Sequence, residues 1–233
     1  TVVEEPTRVY LGTEDQHTGG KAVMTTTLAD AVTAAKENNQ DTVYVCSNVS
    51  LDAAGAELLN TSDITFARCQ AHPNGHMFTV SGDVTLDGAH IDGKNVPSDA
   101  ALIYVSNGGH LTITGDTLIE NGKNDKGNGG GIYLNQSSLT MIGGTIRNNY
   151  AKSSGKIDGT TVGAGQVGGG GGIYAFGGSD TGAKITFAGG VIANNSTGSC
   201  NTGGGGGACI AFVPSEFIEG PDGQVTRFID NTT

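Results

Sequence analysis

The sequence predicts an all-β solenoid of stacked parallel coils behind one N-terminal capping helix, and repeated phrases carry that prediction. Strand-like Leu102-Ile-Tyr-Val105 returns as Gly131-Ile-Tyr-Leu134, as Gly172-Ile-Tyr-Ala175 and, more loosely, as Cys209-Ile-Ala-Phe212. Each copy leads to a second strand and a turn: Leu111-Thr-Ile then Ile119-Glu-Asn121, Leu139-Thr-Met then Ile146-Arg-Asn148, Ile185-Thr-Phe then Ile192-Ala-Asn194, and last Ile229-Asp-Asn231. The Ile-x-Asn turn recurs at intervals of 27, 46 and 37 residues. A constant pattern at unequal spacing marks coils that carry loops of variable length. These intervals are too long for tight hairpins, so each strand is expected to lie parallel to the one before it.

In chain order, residues 1–7 with Glu4-Glu5-Pro6 read as the tail of a linker, and Arg8-Val-Tyr-Leu11 as a short strand. Residues 25–39 carry a helical pattern, with Leu28, Ala31, Val32 and Ala35 on one face behind a threonine cap. An open first coil would expose both core and strand edge, so this helix is placed as the cap. That gives an N-terminal unit of residues 1–41 and a coil domain of residues 42–233. Residues 42–51 and 64–69 begin the coils, and Met77-Phe-Thr-Val80 and Val84-Thr-Leu86 continue them. Ile91-Asp92-Gly93 then takes the turn, with glycine in the asparagine's place.

Asparagine tolerates left-handed backbone and bonds to stacked copies of itself, so Asn121, Asn148, Asn194 and Asn231 read as corner residues in preference to catalytic ones. Loops 122–130, 149–171 and 195–207 leave equivalent corners and are expected along one edge, where function concentrates. Phe228-Ile-Asp-Asn231 is followed by nothing that covers the last coil, so the chain is expected to belong to a larger polypeptide or to be closed by something else.

Composition narrows the class. The 233 residues include 40 Gly, 5 Pro and no Trp, yet glycine keeps no strict third-residue period and the apolar residues sit in regular short runs. Collagen and ordinary disorder are both excluded. A net charge of −11 argues against nucleic acid or an anionic membrane surface as partner. No run approaches the roughly 18 apolar residues of a membrane span, so membrane insertion by this segment is not expected.

Cys46 and Cys69 end comparable strands 23 residues apart, about one coil, which suits a bridge between stacked neighbours. Cys200 and Cys209 flank Gly203 to Gly207 and are paired on the same reasoning, as a pin across a slack loop. Zinc is the competing reading, but close CxxC spacing is missing from both pairs.

The phrases Gly129 to Tyr133 with Ile146 to Asn149, and Gly170 to Tyr174 with Ile192 to Asn195, resemble right-handed parallel β-helix repeats of bacterial surface and autotransported proteins. Phe228-Ile-Asp-Asn231 is similar to the Phe-x-x-Asn repeat of polymorphic outer-membrane adhesins. The opening strand, helix and Val43-Tyr-Val look like the entry of pectate-lyase-like folds. The resemblance implies a right-handed parallel β-helix on an extracellular or bacterial cell-surface protein. Its expected function is to bind a glycan or a host or partner protein through loops and an outward face. The alternative is a carbohydrate-active enzyme, a glycoside hydrolase or polysaccharide lyase, since this scaffold carries both and is also similar to lacto-N-biosidase-type hydrolases.

The β-helix lyases that this chain resembles use acidic calcium ligands beside an Arg or Lys base. The place before the turn residue holds Asp92, Glu120, Arg147, Ala193 and Asp230 in successive copies. Two acids beside an arginine would polarise a sugar, and the plainer reading is a solvent-facing charge ladder. Asp87, Asp92 and Asp99 fall around one corner and are the best glycosidase carboxylates on offer. Asn124 and Asp125 open a loop that departs from every calcium-ligand spacing, so no metal or other cofactor is assigned. Alternation turns Tyr104, Tyr133 and Tyr174 away from Ile103 and Val105 and their copies. Such a strip either stacks on itself or offers aromatic faces to a sugar or a protein.

Overall fold

Which side of each strand is buried follows from its alternation. Ile103 and Val105 are wholly buried, as are Leu111 with Ile113, while Tyr104 and Thr112 turn outward and keep some exposure. The computed structural model describes residues 7–12, 21–61, 63–71, 73–152, 156–157, 160–161, 169–177, 184–198, 206–211 and 213–233. Among these the chain is predominantly β with two helices, and every strand pairing is parallel except the ribbon Lys156–Ile157 with Thr160–Thr161.

Four parallel sheets are laid down in rotation. The longest has nine strands in the order Lys21–Thr25, Thr7–Leu11, Thr42–Val45, Thr65–Arg68, His90–Asp92, Leu118–Glu120, Thr145–Arg147, Val191–Ala193 and Arg227–Ile229. A six-stranded sheet runs Val49–Leu51, Phe78–Val80, Ile103–Val105, Ile132–Asn135, Ile173–Phe176, Ala208–Ala211. A five-stranded sheet runs Asp83–Asp87, His110–Thr114, Ser138–Met141, Ile185–Phe187, Ser215–Phe217. The fourth is formed by Pro97–Ser98, Lys123–Asn124, Tyr150–Ala151 and Ser196–Thr197, the residues that follow each corner. From Phe78–Val80 onward the chain adds strands to the sheets in rotation, each beside the strand of the pass before, and the inward residues build columns such as Ile91, Ile119, Ile146 and Ile192, all fully buried.

At the N-terminal end helix α1, Leu28–Glu37, is capped by Thr27, whose hydroxyl accepts from the Asp30 N–H at 3.1 Å. Its buried face is Ala31, Val32, Ala34 and Ala35, packed on the first strands of the long sheet. A second helix, α2 at Ala53–Asn60, was not expected from the sequence. Asp52 caps it through the Gly55 N–H at 2.8 Å, and Leu59 is buried. Its last residue covers the free edge of the five-stranded sheet. The Asn60 amide donates to Thr85 O at 3.0 Å and accepts from the Asp87 N–H at 2.9 Å. No described helix is long and apolar enough to cross a membrane.

The corners divide between neighbouring asparagines what the sequence reading gave to one. Left-handed backbone falls on Asn121, Asn148 and Asn194, with φ of 56°, 55° and 53°. The stacked hydrogen bonds belong to the next residue. Asn149 Nδ2 donates to Ile119 O and to Asn195 Oδ1, and Asn195 Nδ2 donates to Ile146 O and to Asn231 Oδ1, at 2.9 to 3.1 Å. The backbone N–H of Asn149 and of Asn195 donate to the same two oxygens at 3.0 Å.

The last corner is shifted by one residue from expectation. Phe228, not Ile229, pairs with Ile192, so Asp230 takes the left-handed place (φ 49°) and Asn231 the ladder place. Asp230 therefore leaves the outward row, where Ile229 stands beside Ala193. A shift of two corrects the loosest strand copy: Cys209, not Ala211, lies beside Tyr174. At Gly93 the corner carries two more residues than the next one, and Lys94 and Asn95 supply its left-handed backbone.

The far end leaves Phe217, Ile218, Val225, Phe228 and Ile229 exposed, with the Phe217 and Phe228 rings packed around Phe187 at 4.9 and 5.5 Å. The ladder gives the clearest stability test. Asn195→Ala removes both an acceptor and two donors from a fully buried corner, and is expected to lower stability by about 2 to 4 kcal/mol in urea unfolding. A loss below about 1 kcal/mol would show that the ladder does not hold the corners.

Candidate functional site

Register sets the outward row of the long sheet, placing Asp92, Glu120 and Arg147 side by side on consecutive strands. Glu120 Oε2 accepts from Arg147 Nε at 2.8 Å, and its Oε1 lies 2.9 Å from His90 Nε2. The other His90 nitrogen is 2.9 Å from the Thr65 hydroxyl. Asp92 accepts from the Lys94 ammonium and backbone N–H and from the Asn121 amide, at 2.7 to 2.9 Å. Burial works against its charge, but these hydrogen bonds and the Lys94 charge outweigh it and hold the carboxyl below the usual aspartate range. Lys94 is raised mainly by its hydrogen bond to Asp92, against a smaller desolvation.

Ligand-capable atoms of His90, Asp92 and Glu120 lie within 4.8 Å of one another. Lys94 and Arg147 already neutralise both carboxylates, so the group is a closed charge network. A glycosidase pair needs one carboxyl that keeps its proton. Asp92 is held ionised, and Glu120 is bound on both oxygens. Asp87 and Asp99 do not join them. Asp87 ends a strand of the five-stranded sheet, and Asp99 lies past the fourth sheet, accepting from the Gly75 N–H at 2.8 Å.

The tyrosines stack on themselves. Tyr104 and Tyr133 meet edge to face at 5.4 Å, Tyr133 and Tyr174 at 5.1 Å, and His76 lies flat on Tyr104 at 4.6 Å. Tyr104 and Tyr133 are half-buried, but Tyr174 is fully buried, so the strip does not stand open along its length. Asn124 is engaged by its own loop. Its amide donates to Asn128 O and Gly129 O and accepts from the N–H groups of Lys126 and Gly127. Asp125 is partly exposed, 3.8 Å from Lys123. Cys46 and Cys69 form a disulfide with Cα atoms 4.8 Å apart. Cys200 lies outside the described residues, and Cys209 is buried.

What sequence reasoning missed is a groove of about 690 Å³ where the five-stranded and long sheets meet. Hydrogen-bonding groups from three of the four passes it crosses line it: Thr114 and Asp116, then Thr145 and Arg147, and, beyond Gly190 and Val191, Asp222 and Gln224. The Gly143-Gly144 and Gly189-Gly190 doublets were the available signal, since neighbouring corners stripped of side chains leave a channel.

Comparison with known proteins finds no matching family model, curated protein or solved structure.

The Asp92 network sets a pH dependence. A carboxyl whose folded pKa is depressed stabilises fully above its unfolded pKa of about 3.9, and the contribution fades as pH falls through the folded value. Asp92→Asn is expected to cost about 1 to 3 kcal/mol near pH 7, with the gap to the parent chain narrowing below about pH 4. Urea unfolding at both pH values checks this, and a gap that does not change with pH would overturn the assignment.

Proposed function

We propose that this chain is a right-handed parallel β-helix of an extracellular or bacterial cell-surface protein, and that it binds an extended glycan without cleaving it. The groove carries this reading. It crosses four consecutive passes of the chain, three of which contribute polar groups, so a linear ligand laid in it meets them at several points along its length. Hydroxyl, carboxylate, guanidinium and amide groups on a glycine floor suit a polyhydroxylated chain better than an apolar peptide. Parallel sheets added to in rotation support the β-helix. The Cys46–Cys69 bridge supports an oxidising, extracellular setting.

A carbohydrate-active enzyme is the second reading, and one observation favours it: Asp116 and Asp222 line the same groove. Glycan-array screening of the purified chain, with detection of released sugars, separates the two. For a binder, Gln224→Ala and Asp222→Asn each weaken the captured glycan by about 1 to 2 kcal/mol, and no sugar is released. Affinity indifferent to both substitutions removes the groove from the binding face. Sugar release abolished by Asp116→Asn or Asp222→Asn establishes the enzyme instead.

A further inference from the structure

The outward row of the long sheet gives each of its central acids a cation, and the groove beside it does not. Asp92 has Lys94 and Glu120 has Arg147, at 2.8 Å each. Asp116 and Asp222 line the groove on the first and last of the passes it crosses, and neither carboxylate has a hydrogen bond or an ion pair among the described residues. A third carboxylate stands next to them. Asp87 pairs in register with Thr114 of the groove wall, and its Oδ1 lies over Gly115, where a Cβ would overlap it. Its backbone N–H is engaged by Asn60, but its carboxylate has no partner among the described residues.

Positive charge along the same line is scarce. Among the described lining residues Arg147 is the one cation, and its Nε is given to Glu120. Arg227 follows Val191 one pass on, outside the lining, and Glu219, close to Gly223, adds a further acid to the loop that carries Asp222. Carboxylates left uncompensated along one surface repel one another, and a bound cation relieves that repulsion. The acids are not gathered as metal ligands are. Among the described residues the one group close enough to hold an ion is His90, Asp92 and Glu120, none of which lines the groove. Negative charge spread along the groove matches positive charge spread along a chain. Neighbouring passes stand about 4.8 Å apart, near the repeat of one sugar in an extended glycan, so amines carried on a run of sugars come opposite these acids in turn.

We infer that the groove selects a glycan of free amino sugars, with protonated amines against Asp116 and Asp222, and disfavours chains that carry uronates. The inference rests on the reading of the groove as a glycan site and names the charge class of that glycan. Glycan binding at the groove survives if this selectivity fails.

Titration calorimetry on the full chain, in mildly acidic buffer that keeps sugar amines protonated, compares tetraglucosamine, its N-acetylated counterpart chitotetraose, tetragalacturonate, tetralysine and calcium chloride. Tetraglucosamine is expected to bind about tenfold more tightly than chitotetraose, with the advantage shrinking as salt is raised, and tetragalacturonate is expected not to bind. Asp116→Asn and Asp222→Asn are each expected to weaken tetraglucosamine by about tenfold and to narrow its lead over chitotetraose. Both side chains are exposed and without described partners, so their replacement leaves the packing of the coils alone. Gln224→Ala removes a neutral contact and is expected to weaken both sugars alike. The selectivity is overturned, with the groove kept as a glycan site, if chitotetraose binds as tightly as tetraglucosamine and Gln224→Ala weakens both. It is overturned together with that site if neither sugar responds to Gln224→Ala or to the aspartate variants. Tetralysine matching tetraglucosamine overturns it, since the sugar then plays no part, and so does calcium binding that the aspartate variants abolish, since the acids then serve a metal ion.

Discussion

A buried carbonyl or N–H at a chain reversal must find a partner, and in this protein the partner at each corner comes from the next pass of the chain. Asn149, Asn195 and Asn231 each reach back one pass to a carbonyl of the preceding corner, and each side-chain oxygen takes two N–H groups from it, or one where Gly122 stands before Asn149. Leaving those groups unsatisfied would cost about 1 to 3 kcal/mol apiece. The ladder therefore fixes register. A slip of one residue would both break it and turn the buried isoleucine column to solvent.

Fixed register makes the outer surface readable as columns. Once Ile91, Ile119 and Ile146 stack inward, Asp92, Glu120 and Arg147 have no choice but to stand in line outward, where like charges would repel. The row resolves this by bringing cations to each acid: Lys94 from the corner to Asp92, and Arg147 from the next strand to Glu120. An arrangement that resembles a catalytic cluster in sequence is thus the electrostatic condition for stacking acidic residues at strand spacing. The same logic explains why the tyrosines stack edge to face, since identical rings on adjacent strands meet at about that separation whether or not a ligand is present.

Strand identity and the inward face were legible because alternation is local: Ile103 and Val105 against Tyr104 needs only three residues. The parallel pairing was legible from the repeat. Register at the far end was not, because Ile229 imitates the isoleucine that Phe228 actually replaces. Helix α2 is only eight residues long and contains Gly55, too short for periodicity to separate from a loop. Burial of Tyr174 could not be read at all, since alternation says which way a side chain points and nothing of what lies over it. The groove escaped for a related reason: its walls come from residues dozens of positions apart that only stacking brings together.

That stacking also accounts for the groove's shape. A Cβ on Gly189 would overlap the Ile142 carbonyl, and Gly190 combines left-handed backbone (φ 81°) with a close approach to Gly143. Corners packed this tightly admit only glycine, and a run of such corners lowers the surface along one line. The concavity is thus a consequence of how neighbouring passes of the chain pack, present before any ligand imposes a requirement. Arg147 on its rim is held by Glu120, whereas Thr145 and Gln224 carry no comparable constraint in their polar atoms, so the polar character of the groove is set in part by residues that the packing does not prescribe.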